Sequence, residues 1–135
     1  MVKGIHHINF IVRDLAEAIP VWERILGRPV TRRDRLEQRN VALANFDLGG
    51  TWVVLVQPTG PGVPADHLTT YGEGFFLMSL GVDSLDAECA RVGEAMLAGD
   101  RRAGLDDWTV QDLRIGQTFG AQLQLVQEAR SVTGD

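Results

Sequence analysis

The sequence predicts an α+β fold in which two repeated βαβββ units form a curved mixed sheet around a central cleft, with the helices outside. Three observations predict it. The two halves align at a constant offset, since 82 − 12 and 125 − 55 both equal 70. At that offset Gly4 meets Gly74, Val12 meets Val82, Leu15 meets Leu85, Leu43 meets Leu113 and Gly50 meets Gly120. Each half also closes on the same tripeptide, Leu55-Val56-Gln57 and Leu125-Val126-Gln127. Neither half is large enough to bury a sheet face alone, so the copies are expected to pack together in one domain, 1–135, with halves at 1–58 and 74–127 and a linker at 59–73.

Taken in order, Ile5 to Val12 alternates, with Ile8, Phe10 and Val12 on one face and His7, Asn9 and Ile11 on the other, which predicts a strand. Asp14 is placed as an N-cap, with Glu17 three residues on in a capping-box pattern. The helix is expected to reach Leu26, where Gly27 and Pro29 stop it, with Pro20 tightening or kinking its start. Strands follow at Val30 to Leu36, Val41 to Leu48 and Thr51 to Gln57, with Gly49-Gly50 as a hairpin turn. Pro58 to Gly74 is rich in proline and glycine and is expected to be one long connection. The pattern then restarts with a strand from Gly74 to Val82 and a helix capped by Ser84 that runs to about Ala98. Further strands are placed near Arg101 to Gly104, Trp108 to Ile115 and Gly120 to Gln127, with a frayed tail from Ser131.

The helices must cover one face of their strands, which assigns Ile8, Phe10, Val12, Val53 and Leu55, and then Met78, Leu80, Val82, Leu123 and Leu125, to the core. The opposite face carries His7, Asn9, Trp52, Val54 and Val56, and in the second half Phe75, Leu77, Ser79, Gln122, Gln124 and Val126. Alternation adds Trp108, Asp112 and Arg114 to that second set. A mixed apolar and polar face of this kind suits a small-molecule ligand or substrate.

Composition narrows the function classes. A net charge of −5 and a pI near 5.1 argue against nucleic acid, and acidic Asp34 and Glu37 interrupt the one basic cluster at Arg32, Arg33, Arg35 and Arg39. No apolar run reaches the ~20 residues of a membrane span, and the start lacks a signal-peptide pattern. Cys89 is a lone cysteine in a helical pattern and reads as a small buried hydrophobe. A cytoplasmic protein is expected.

The run His7-Ile8-Asn9-Phe10-Ile11-Val12-Arg13-Asp14-Leu15, followed by Trp22 and Leu26-Gly27, resembles the opening of glyoxalase (vicinal oxygen chelate) superfamily proteins. Trp52-Val53-Val54-Leu55-Val56-Gln57-Pro58 resembles the end of their first half, and Gly72-Glu73-Gly74 leading into Val82-Asp83-Ser84-Leu85-Asp86 the start of their second. Within the superfamily the resemblance is to methylmalonyl-CoA epimerase-like or bleomycin-resistance-like members. It implies four metal-ligand positions, which fall here at His7, Val54, Leu77 and Gln124. Val54 and Leu77 have no lone pair to offer, and such metals generally take three or more protein ligands, so the metal site is degenerate and a divalent metal is disfavoured. No other cofactor is expected. His67 and Glu73 are substitutes only if the connection folds inward.

The catalytic candidates are His7, Gln124 and Asp112. His7 is either a general acid/base, as an imidazole titrates near neutrality, or a remnant that hydrogen-bonds Gln124. Asp112 and Arg114 share a strand face, as a proton carrier beside an oxygen-holding guanidinium or as a solvated ion pair. The substrate-binding candidates are Asn9, Trp52, Phe75, Ser79, Trp108, Arg114 and Gln122, with Phe46 as a further aromatic wall. Some of these rings can instead lie at the interface of an expected homodimer. The expected function is a lyase or isomerase acting on a small carbonyl compound or thioester by acid/base chemistry, largely without metal. The alternative is a metal-free protein that sequesters a hydrophobic or aromatic metabolite or antibiotic, and a third reading is a metal-dependent epimerase or glyoxalase with substitute ligands.

Overall fold

The computed structural model describes residues 1–129, so the expected fraying from Ser131 lies outside the described residues. Alternation produces β1 (Val2–Ile11). Asp14 then caps α1 (Leu15–Leu26), its carboxylate accepting from Ala16 N at 2.8 Å. Gly27, in the left-handed region at φ 70°, closes the helix with its N–H on Glu23 O. The helix continues through Pro20. β2 (Arg32–Leu36), β3 (Val41–Asp47) and β4 (Trp52–Pro58) follow. The β3–β4 turn is held by Asp47 Oδ1, which accepts from Gly49 N and Gly50 N, both glycines having positive φ.

The connection after β4 contains a helix that composition concealed, α2 (Val63–Tyr71). Pro64 lies in its first turn, where a missing N–H costs no intrahelical bond, and Gly62 and Gly72 flank it. Proline and glycine therefore punctuate this helix rather than prevent it. β5 (Gly74–Val82) and α3 (Leu85–Val92) repeat the opening, with Ser84 Oγ accepting from Ala87 N at 3.1 Å. α3 ends well short of Ala98 because Gly93, at φ 91°, leaves the helical region, and a 3-10 turn, Glu94–Met96, follows. β6 (Leu97–Ala103) consequently starts earlier than expected, and β7 (Thr109–Leu113) and β8 (Leu123–Gln127) complete the chain.

The chain divides into two compact units, one formed by His7–Phe76 and the other by Met1–His6 with the residues from Leu77 onward. The strand order is β2-β3-β4-β1 in the first, and β5-β8-β7-β6, with the start of β1 beside β5, in the second. Each repeat thus sets its first strand beside its fourth, in parallel, then its third, then its second. The registers match as well, for Ile8 pairs Val53 and Met78 pairs Leu123, a separation of 45 residues each time.

The repeated glutamine has a definite task. Gln57 Oε1 accepts from Leu15 N at 2.8 Å and Gln127 Oε1 from Leu85 N at 2.7 Å, so each unit's last strand satisfies an otherwise orphaned N–H at its helix start. One expected match fails. Leu43 pairs Val56, but Val126 pairs Val110, so Val110 rather than Leu113 corresponds to Leu43. Register partners across β7–β8 lie three residues further apart in sequence than those across β3–β4, as Asp112↔Gln124 against Asn45↔Val54 shows, and the connection holds the 3-10 turn Ile115–Gln117.

The cores follow the expected faces in part, for Ile8, Met78 and Leu123 are only half-buried and join neither cluster. Under α1 the buried set is Val12, Leu15, Ile19, Ala44, Phe46, Val53 and Leu55, with Phe10 and Trp22 packed against it. Phe46 is fully buried there and lines no ligand face, because its register partner Val53 points at the helix. Under α3 the set is Val82, Leu85, Cys89 and Leu125, and Cys89 is the buried hydrophobe its pattern indicated. Among the described residues no helix is long and apolar enough to cross a membrane.

Candidate functional site

Register partners share a face, so strand pairing defines a polar row across each unit. In the first unit Asn9 pairs Val54, Val54 pairs Asn45 and Asn45 pairs Arg32. His7 stands one repeat up the same face, paired with Trp52, and is only 5% exposed. Asn45 Nδ2 donates to Asp34 Oδ2 at 2.7 Å, and Arg32 Nε donates to the same oxygen at 2.7 Å. The interrupted basic cluster is thus divided by strand parity, with Arg33 and Arg35 exposed while Arg32 and Asp34 turn toward the row. Asn9 Oδ1 is buried and has no hydrogen-bond partner, for Val54 beside it offers only carbon.

In the second unit the corresponding row is closed. Ser79 Oγ donates to Gln124 Oε1, Gln124 Nε2 donates to Asp112 Oδ1 at 3.1 Å, and Arg102 grips Asp112 with two bonds of 3.0 and 2.8 Å. Ser79 is fully buried and Gln124 is 4% exposed. A bidentate guanidinium holds a carboxylate by charge and shape together. The expected Asp112–Arg114 pairing is therefore corrected: Asp112 belongs to Arg102, and exposed Arg114 donates from Nε to Leu97 O at 2.7 Å. Arg102 reaches Asp112 because the β6–β7 register shifts between Ala98 and Arg102. Gln111 Nε2, donating to Ala98 O and Gly99 O, holds that irregularity in place.

Two expected aromatic positions also change. Phe75 is half-exposed and meets Phe10 at 6.3 Å, and Phe10 in turn meets Trp22 of α1 at 4.8 Å, so Phe75 joins the helix side of its unit. Gly74, at φ 136°, breaks the alternation at the strand start. Trp108 packs edge-on against His6 at 4.5 Å, and His6 Nε2 lies 2.6 Å from Glu128 Oε1. His6 thus packs against Trp108. Gln122 is half-buried, and its carbonyl accepts from Met78 N at 3.1 Å.

Two of the four positions that the resemblance implies for metal ligands carry side chains of carbon alone. Val54 is 4% and Leu77 6% exposed, both without a donor atom, and both ends of the Gln124 amide are engaged in its own unit. His67 packs on α2 against Tyr71 and Phe76, and Glu73 is bonded to Arg13. Among the described residues no three His, Cys, Asp or Glu side chains gather as a metal site would require. A groove of about 550 Å³ lies on the α1 side of the first unit, floored by Phe10 and Trp22 and edged by Arg13, Asp14, Glu17 and Glu73.

A sequence profile described as the Glyoxalase/Bleomycin resistance protein/Dioxygenase superfamily matches residues 6–111. The chain belongs to this superfamily. Its fold matches that of methylmalonyl-CoA epimerase from Mycobacterium tuberculosis with a TM-score of 0.86, at 22% identity over 99% of this chain and 93% of the other. A Streptomyces coelicolor methylmalonyl-CoA epimerase variant in complex with 2-nitronate-propionyl-CoA gives a TM-score of 0.84, at 24% identity over 96% of each chain. A hypothetical protein from Bacillus halodurans C-125 gives 0.87, at 17% identity over 95% of this chain and 96% of that one. At these identities the likeness shows the α+β fold alone. No curated protein matches the sequence.

Proposed function

We propose that the chain is a lyase or isomerase acting on a small carbonyl compound or thioester, with His7 moving the proton and no divalent metal in the step. The observation that carries this reading is a buried imidazole on the same face of β1 as an unbonded acceptor, Asn9 Oδ1. An imidazole can both accept and donate a proton, which suits removal of an acidic hydrogen beside a carbonyl. Asn9 and Trp52 hold the substrate. Gln124, Asp112 and Ser79 form a fixed polar scaffold in the second unit, since Arg102 already neutralises Asp112. Two similar folds carry the name methylmalonyl-CoA epimerase, and another was solved with methylmalonyl-CoA bound, which makes an acyl-CoA thioester the first substrate to try.

The test is hydrogen exchange. Methylmalonyl-CoA incubated with the protein in D2O is expected to take up one deuterium at the carbon between its two carbonyl groups, read by mass spectrometry. His7→Ala and His7→Gln should both abolish uptake while leaving the circular dichroism spectrum unchanged. Uptake that survives in either variant, or none with the parent chain, overturns the reading.

A second reading, a protein that sequesters a hydrophobic or aromatic compound, is favoured by buried Val54 and Leu77 at positions where donors would otherwise stand. In that case Trp52→Ala would cost more affinity for such a compound than His7→Ala.

A further inference from the structure

A buried amide oxygen without a partner forfeits the hydrogen bond it had in water, and folded proteins seldom leave such a group. Asn9 Oδ1 is in that position, with less than 1 Å² exposed. Its counterpart along the repeat, Ser79, is bonded by Gln124, and the residue that replaces Gln124 in the first unit is Val54. A single apolar side chain therefore leaves Asn9 open. Its surroundings also define what would fill the gap. On that face Ile11, Val54 and Val56 are buried and apolar, His7 and Asn45 are buried beside them, and the row's carboxylate, Asp34, is already shared by Asn45 and Arg32. A cation brought there would lose its hydration without a counter-charge, whereas a neutral N–H or O–H would gain a bond that water does not supply.

We propose that Asn9 Oδ1 receives a neutral hydrogen-bond donor from the ligand, which narrows the substrate class to carbonyl compounds that carry an amide N–H or a hydroxyl. This rests on the acid/base reading above for the carbonyl and adds the donor. The two sources of the donor are separable by probe: S-propionyl-N-acetylcysteamine carries an amide N–H, hydroxyacetone a hydroxyl, and S-ethyl thiopropionate neither.

Calorimetric titration of the parent chain, Asn9→Leu and Asn9→Asp with all three probes tests the assignment. One donor-bearing probe is expected to bind the parent about ten-fold more tightly than Asn9→Leu, with Asn9→Asp retaining binding, while S-ethyl thiopropionate shows no difference between the three proteins. The probe that shows the difference identifies amide or hydroxyl. Without ligand, Asn9→Leu should melt a few degrees higher, because it removes an unmet acceptor at similar volume. Equal binding of every probe by the parent and Asn9→Leu, no binding by the parent, or a lower melting temperature for ligand-free Asn9→Leu overturns the proposal. Deuterium uptake is read separately, so a chain that fails to exchange yet discriminates donors through Asn9 refutes the reaction and not this site.

Discussion

The two polar rows are the same construction finished differently. Residues 9, 54, 45 and 32 are successive register partners across the first unit, and 79, 124 and 112 across the second, where Arg102, paired in register with Val110, reaches Asp112 by its side chain. In the second, Gln124 bridges Ser79 to Asp112 and every group is bonded. In the first, Val54 interrupts the chain, so the Asn45–Asp34–Arg32 end is self-contained and Asn9 stands apart. A closed buried network fixes structure, whereas an open one keeps bonding capacity for something else. The comparison gives the second row a stabilising part and leaves the first free for the recognition proposed for Asn9.

Exchanging the bridging residue should show this most strongly in the closed row. Gln124→Val strands the hydroxyl of fully buried Ser79 and removes one bond from Asp112. A loss of about 2–4 kcal/mol is expected in urea denaturation, typical of breaking a buried network. A loss under about 0.5 kcal/mol would mean that water substitutes for the amide and the row is open to solvent.

The opposite exchange should leave stability nearly alone and act on binding. Val54→Gln offers Asn9 the donor it lacks, while the added volume costs part of what that bond returns. The expected net change is within about 1 kcal/mol, accompanied by a fall of about ten-fold in affinity for the donor-bearing probe. Unchanged affinity would show that Asn9 is not the group that ligands meet.

Much of this fold is legible in the amino-acid sequence. Alternation marks β1 and β5, and Asp14, Ser84 and Gly27 mark the helix ends, because those signals are local. Leu97-Ala98 extends an apolar helical pattern, so only the positive φ of Gly93 reveals that the chain has already turned into β6. Leu43 and Leu113 are identical without being equivalent, since a three-residue insertion is invisible until strands are paired. For the site, period-two alternation identifies the face that holds His7, Asn9 and Ser79 but does not say which side chains meet across strands. Arg102 escapes sequence reasoning on that account. It reaches Asp112 through a register shift, and the nearest signal is the Arg101-Arg102 pair beside a weak strand pattern.

The helices extend the comparison and give its smallest expected effect. At the repeat offset Glu88 of α3 stands where α1 has Ala18, so the second unit buries an acid where the first half-buries a methyl group. Hydrogen bonding from the Met1 amine, and then from Arg91 at 2.8 and 3.0 Å, holds the Glu88 carboxyl below its ordinary value of 4.5 despite the opposing effect of burial. A carboxyl with a lowered folded-state pKa contributes stability that is complete above its unfolded value and is lost as pH falls through the folded one. Glu88→Gln should therefore lower the melting temperature at pH 7, and the gap from the parent should narrow only once pH drops below 4.5. Acetylating the Met1 amine, which removes the leading contributor, should reproduce part of the loss at pH 7 and add little in Glu88→Gln. A gap that stays constant from pH 7 to strong acid would show that Glu88 acts by packing, as Ala18 does, and that the two helices differ in size rather than in charge.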